Sequence, residues 1–221
     1  MAIAPDGTWL ATGGNDGTVR IWDRNTGTCT ATLTGHTRTA TSVAIAPDGT
    51  WLATIGGGSD RTVRIWDRNT GTCTATLTSH TDWVTSVAIA PDGTWLATGG
   101  YDGTVQIWDR MSAVPASSRF GHTRMVTSVA IAPDGTWLAT TGGGSDRTVR
   151  IWDRNTGTCT ATLTGHTDRV TSVAIAPDGT WLATGGYDGA VRIWDRNTGT
   201  CTATLTGHTD RVTSVAIAPD G

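Results

Sequence analysis

Residues 170–205 read Val170-Thr-Ser-Val-Ala-Ile175-Ala-Pro177-Asp-Gly179-Thr-Trp181-Leu-Ala-Thr184-Gly-Gly-Tyr187-Asp188-Gly-Ala-Val191-Arg-Ile-Trp194-Asp195-Arg-Asn197-Thr-Gly199-Thr-Cys201-Thr-Ala-Thr-Leu205. Four short runs of β-type residues are separated by turn signals. Val170–Ile175 alternates large and small residues, and Pro177-Asp-Gly179 turns the chain back. Trp181–Thr184 is a second strand that ends in glycines. Val191–Trp194 has a period of two, Asn197-Thr-Gly199 is a further turn, and Cys201–Leu205 is the fourth strand. No segment holds a 3.6-residue period over two turns, which excludes a helical repeat.

Outward from this stretch the pattern recurs. Ala-Pro-Asp-Gly begins at Ala4, Ala46, Ala90, Ala132, Ala176 and Ala218, with spacings of 42, 44, 42, 44 and 42. Trp-Asp begins at Trp22, Trp66, Trp108, Trp152 and Trp194. Short repeats carry Ala-Thr-Gly-Gly before the Asn15, Tyr101 or Tyr187 position. Long ones insert Gly56–Arg61 and Gly142–Arg147, so the duplicated unit is a pair of repeats. Copies this similar imply recent amplification or design. Four strands in roughly 42 residues is the period and content of a propeller blade.

Composition agrees. Only 37% of the 221 residues are hydrophobic, while Gly (29) and Thr (about a fifth of the chain) are abundant, as in short strands joined by tight turns. Lys+Arg 16 against Asp+Glu 19 leaves a net charge of -3 and no basic stripe for nucleic acid. No apolar run reaches the roughly 20 residues of a membrane span. The opening Met1-Ala2-Ile3-Ala4-Pro5 has no signal-peptide character. The four Cys, at 29, 73, 159 and 201, recur in one context and are expected as small half-buried side chains. Free thiols point to a reducing, cytoplasmic setting.

The Gly-His pairs (Gly35-His36, Gly121-His122, Gly165-His166, Gly207-His208, with Ser79-His80 in the third copy), the Pro-Asp-Gly turns and the Trp-Asp pairs resemble WD-repeat β-propellers. They are similar to the highly repetitive propellers attached to bacterial signalling proteins. The resemblance covers the whole chain. It implies an all-β propeller of four-stranded antiparallel blades in a single domain, residues 1–221, with five blade equivalents. Blade 1 is 8–34 plus 207–218, blade 2 is 35–78, blade 3 is 79–120, blade 4 is 121–164 and blade 5 is 165–206. It further implies that a buried tetrad locks each blade: His36, Thr54, Asp60 and Trp66; His80, Thr98, Asp102 and Trp108; His122, Thr140, Asp146 and Trp152; His166, Thr184, Asp188 and Trp194. Each polar group would cost about 1–3 kcal/mol if buried without a partner. A fifth set is split across the termini. Thr12, Asp16 and Trp22 lack an upstream His, while His208 and the strand after it have no blade of their own. The C-terminal segment is therefore expected to complete blade 1 by strand exchange, within the chain or between chains. Five blades in one ring need about 72° each, against about 51° for seven. A homo-oligomer is therefore expected.

Little in the chain suggests chemistry. Every His recurs with the same neighbours, and catalysis does not need five copies of a His-Asp-Ser/Thr set. The Gly56–Arg61 and Gly142–Arg147 loops lack the Lys and following helix of a phosphate-binding loop and read as bulged turns. No metal set and no cofactor is expected. The five tryptophans after the Asp-Gly-Thr turns (Trp9, Trp51, Trp95, Trp137, Trp181) are expected to pack against neighbouring blades, with carbohydrate or peptide stacking as the alternative.

More informative are positions that vary between otherwise identical copies. After the Gly-His pairs these are Thr39, Trp83, Met125, Arg169 and Arg211; before the tetrad Asp they are Asn15, Tyr101 and Tyr187. The resemblance places both sets on one face, where partners dock, and Trp, Tyr, Arg and Met are interface residue types. Neutral drift at exposed sites is the alternative. The third copy departs furthest, with Met111–Phe120 replacing the usual turn and fourth strand; Pro115 suits an edge or a bulge. The expected function is a non-enzymatic interaction scaffold with a protein or peptide partner and a second copy of itself, without nucleic acid or membrane. The alternative is an amplified or engineered repeat protein that is purely structural.

Overall fold

The structure, a computed structural model, describes residues 1–112 and 115–219. It contains five four-stranded antiparallel sheets and one short 3-10 turn, Gly58–Asp60. Blade 1 is β1 (Ala2–Ile3), β2 (Trp9–Gly13), β3 (Val19–Asp23) and β4 (Cys29–Leu33). Blade 2 is β5 (Ala40–Ile45), β6 (Trp51–Gly56), β7 (Val63–Asp67) and β8 (Cys73–Leu77). Blade 3 is β9 (Val84–Ile89), β10 (Trp95–Gly100), β11 (Thr104–Asp109) and β12 (Pro115–Phe120). Blade 4 is β13 (Val126–Ile131), β14 (Trp137–Gly142), β15 (Val149–Asp153) and β16 (Cys159–Leu163). Blade 5 is β17 (Val170–Ile175), β18 (Trp181–Gly186), β19 (Val191–Asp195) and β20 (Cys201–Leu205). Each sheet is ordered as the chain runs, so the Pro-Asp-Gly turns and, in all blades but the third, the Asn-Thr-Gly turns share one end of the blade. The Gly-rich turns and Gly-His loops share the other.

The register repeats with the sequence. In blade 2 Val43 lies opposite Thr54, Leu52 opposite Trp66, and Trp66 opposite Cys73 after a shift between Ile65 and Trp66. Pro115 sits at the equivalent shift in blade 3, opposite Trp108, where a missing N–H disturbs the ladder least. A second shift early in the first strands of blades 3, 4 and 5 turns a threonine hydroxyl towards the segment that follows each blade. Thr85 donates to Val126 O (2.6 Å), Thr127 to Val170 O (2.6 Å) and Thr171 to Val212 O (2.5 Å).

The core lies between blades. Ala4, Trp9, Ala11, Val19, Ile21 and Leu33 of blade 1 pack on Ala40, Val43, Leu52 and Trp66 of blade 2. The same two half-sets meet at the next three junctions. Every blade thus has a trailing face (Trp, Ala, Val, Ile, Leu) and a leading face (two small first-strand residues, Leu, Trp). Each full burial of such a side chain contributes about 1.5–3 kcal/mol. At the two ends of the series the faces have no neighbour. Leu205 on blade 5 is 54% exposed, whereas its equivalent Leu33 is 2% exposed. On blade 1, Leu10, Thr12 and Trp22 are half-buried where their equivalents in the other blades are buried.

Two expectations are corrected. The inner strand of blade 1 is its own Ala2–Ile3, paired with Leu10 and Ala11, and residues 207–218 do not complete that blade within the chain. They lie along blade 5 instead, because Val212 N donates to Gly186 O (2.9 Å) and Val215 N to the Ser172 hydroxyl (3.2 Å). Of the overlapping terminal Ala-Ile-Ala-Pro-Asp-Gly, the last two residues lie outside the described part. The four cysteines are exposed, not half-buried: they sit on the outermost strand of their blades and face solvent. Among the described residues no helix is long and apolar enough to cross a membrane.

Candidate functional site

Two constellations recur, one buried and one at the loop end. The buried one holds the polar residues singled out in the sequence. In blade 2 Trp66 Nε1–H donates to Thr54 Oγ1 (2.8 Å), and Thr54 Oγ1 lies 2.8 Å from His36 Nε2. The threonine oxygen accepts from the indole, so its proton goes to Nε2. That leaves Nδ1 as the donor to Asp60 Oδ1 (3.3 Å). Asp60 also accepts from the Thr37 amide (2.5 Å) and the Thr62 hydroxyl. The same chain runs through Trp108, Thr98, His80 and Asp102. It recurs through Trp152, Thr140, His122 and Asp146 and through Trp194, Thr184, His166 and Asp188.

Burial lowers the His36 and His166 imidazoles below the ordinary 6.5, against the opposing pull of their aspartates, so both are held neutral. Burial works to raise Asp60. Hydrogen bonds from the Thr62 hydroxyl, the Thr37 amide and His36 outweigh it and bring the carboxyl to about 2. Blade 1 is incomplete: Trp22 donates to Thr12 (2.8 Å), but Asp16 is exposed and meets Arg20 (3.5 Å), and His208 lies exposed beyond blade 5.

At the loop end the varied residues meet in sets. Tyr101 N donates to Trp83 O (2.7 Å) and the two rings lie 5.3 Å apart at 54°. Both are exposed, at 47% for Trp83 and 45% for Tyr101. Tyr187 N donates likewise to Arg169 O (2.9 Å). The Arg169 guanidinium lies 4.4 Å from the Tyr187 ring centre, and that of Arg211 lies 5.1 Å from it. Arg211 also donates to the Tyr187 hydroxyl (3.1 Å). In the long repeats a glycine takes the tyrosine's backbone role: Gly57 N donates to Thr39 O (2.6 Å) and Gly143 N to Met125 O (2.8 Å). A groove of about 600 Å³ opens between blades 2 and 3, bounded by Arg38, Thr39, Gly57, Ser59, Trp83 and Tyr101. Arg61 closes this loop from φ 54 and donates to Thr81 O (2.8 Å) on the neighbouring blade. Asn15 stands alone and exposed on blade 1.

Six segments, residues 1–23, 27–67, 71–109, 114–153, 157–195 and 199–221, match the WD domain, G-beta repeat family. The chain belongs to the WD-repeat family. A 27-residue stretch is 70% identical to the ribosome biogenesis protein erb1 of Botryotinia fuckeliana (strain B05.10). That stretch is 12% of this WD-repeat chain and 4% of the erb1 protein, so the likeness is shorter than one repeat.

The WD-repeat chain also contains a set of contacts that the sequence reading missed. The arginine after each Trp-Asp pair but the first reaches back to the preceding blade and stacks on its turn tryptophan. Arg68 lies over Trp9 (5.0 Å), Arg110 over Trp51 (4.8 Å), Arg154 over Trp95 (4.9 Å) and Arg196 over Trp137 (4.7 Å). The signal was present: Trp-Asp-Arg is intact in all five copies, beside the five turn tryptophans.

Proposed function

We propose that this WD-repeat chain is a scaffold that docks a peptide or protein partner on the loop end of its blades. The groove beside Trp83 and Tyr101 is the anchor point. The observation that carries the reading is an exposed aromatic pair at the rim of a 600 Å³ groove. Large aromatic side chains beside a concavity are typical interface anchors. Arg38 borders the groove, and none of the residues lining it is acidic. The partner segment is therefore one with an apolar or aromatic side chain next to an acidic one. The Arg169–Tyr187–Arg211 cluster is a second contact point for acidic groups. No catalytic role is assigned to the four buried His–Asp–Thr sets, whose hydrogen-bonding capacity is spent on one another. A second copy of the chain is the other partner, engaged at the end blades and not at the loop end.

Panning a displayed random-peptide library on the immobilised chain tests the docking reading. Selected peptides should be enriched in aromatic and acidic residues. They should bind Trp83→Ala at least tenfold more weakly, at an unchanged melting temperature. Equal affinity for both proteins would leave a purely structural repeat protein and remove the docking role.

A further inference from the structure

The trailing face of blade 5 and the leading face of blade 1 are the two halves of one interface, formed four times inside the chain and left open at its ends. Each open half lacks a defined partner. Trp181 is half-buried and has no arginine over it, while Arg24, the counterpart of Arg68, Arg110, Arg154 and Arg196, is exposed. Gly35, Gly121 and Gly165 each abut the indole of the blade that follows, whereas Gly207 meets nothing. Thr12 bonds Trp22 but no histidine.

Residues 207–215 are already placed as the opening of a following blade. Val212 N donates to Gly186 O (2.9 Å) as Ala40 N does to Gly14 O (2.9 Å). Thr171 donates to Val212 O as Thr85 does to Val126 O, and Val215 N donates to Ser172 as Val129 N does to Ser86. This opening is complete from Gly207 to Val215, the part for which blade 1 has no strand of its own: β1 pairs only with Leu10 and Ala11.

We infer that blade 1 of a second copy seats on the open face of blade 5. Arg24 of the second copy then stacks on Trp181 and its Trp22 packs on Gly207. Its Thr12 takes His208, and residues 207–215 pair with its β2 beyond Ala11. The composite blade has the first strand and histidine of one copy and the remaining strands of the other. The pairing rests on the self-association proposed above and is independent of docking at the loop end. Such a contact is heterologous, so it closes a ring or runs on head to tail.

Light scattering coupled to size exclusion, over a hundredfold range of concentration, tests it with two variants at exposed positions, Leu205→Asp and Arg24→Asp. The unaltered chain should exceed twice its 23.0 kDa at the upper end of the range and dissociate on dilution. Leu205→Asp should stay at 23.0 kDa, and Arg24→Asp should associate at least tenfold more weakly. An equal mixture of the two should give a species of two copies and nothing larger, because only one head and one tail are intact. Amide exchange at Thr12 and Gly13 should slow with association in the unaltered chain and not in Leu205→Asp. An unaltered chain of constant 23.0 kDa overturns self-association and this pairing together. An assembly that persists in both variants keeps self-association and overturns the pairing.

Discussion

His166 shows what the buried residues contribute. Its ring lies between the Thr184 hydroxyl and the Asp188 carboxylate, and the Thr184 oxygen also takes the Trp194 indole proton. His166→Ala removes the acceptor of the buried Thr184 hydroxyl and one of the donors to Asp188, and should cost about 1–3 kcal/mol in urea unfolding. Acid should act on the same groups. His36 and His166 have folded values below the ordinary 6.5, so the unfolded chain takes up protons first as the pH falls. Their contribution is complete above about pH 6.5 and declines below it. Asp60, held at about 2 against an ordinary 3.8, adds a second loss as the pH falls below about 4. The unfolding midpoint should be level from pH 7 to 8 and fall in both windows; a midpoint that rises on acidification contradicts the assignment. Arg147 offers a gain. It holds φ 55, where the short repeats have glycine, and no hydrogen bond of its side chain compensates as Arg61's does. Arg147→Gly should raise stability by about 0.5–1 kcal/mol, since the left-handed region costs a non-glycine residue roughly 1–2 kcal/mol and glycine gives part of that back in entropy.

The segment after β20 forms no strand, yet it covers the first strand of blade 5. Removing residues 207–221 breaks the bonds to Thr171, Ser172 and Gly186 and uncovers Gly185, against which Val212 and Val215 lie. At about 1 kcal/mol per buried hydrogen bond, with apolar exposure added, the truncated chain should lose at least ~2 kcal/mol and become less soluble. An unchanged midpoint and solubility would show that this segment is not seated there. The strands themselves were legible in the sequence, because alternation and Pro-Asp-Gly or Asn-Thr-Gly turns are local signals. The four complete histidine sets were legible only through resemblance, since their members lie 10 to 24 residues apart. What local sequence could not convey is which copy of a face is covered. Cys-Thr-Ala-Thr-Leu is identical at Leu33 and Leu205, yet one leucine is buried and the other open, because burial is conferred by the next blade. The groove was missed for a related reason: its lining joins Gly57 to a tryptophan 26 residues further on, in the next blade.

The protein is thus a row of near-equivalent blades whose stability comes from the junctions between them. Four junctions are filled and a fifth is divided between the two ends. On the proposed reading, function follows the same division: the filled junctions hold the loops that border the groove, and the divided one recruits another copy. The indole protons report on the junctions, because each tryptophan of a Trp-Asp pair donates to a threonine in its own blade and all but Trp22 are covered by the blade before them. The most direct measurement is the solvent exchange rate of the five indole N–H groups by NMR at low and high protein concentration. Those of Trp66, Trp108, Trp152 and Trp194 should exchange slowly at both. That of Trp22 should exchange at least tenfold faster in dilute solution and slow towards the others as the concentration rises. Five rates that are alike and independent of concentration would contradict the account.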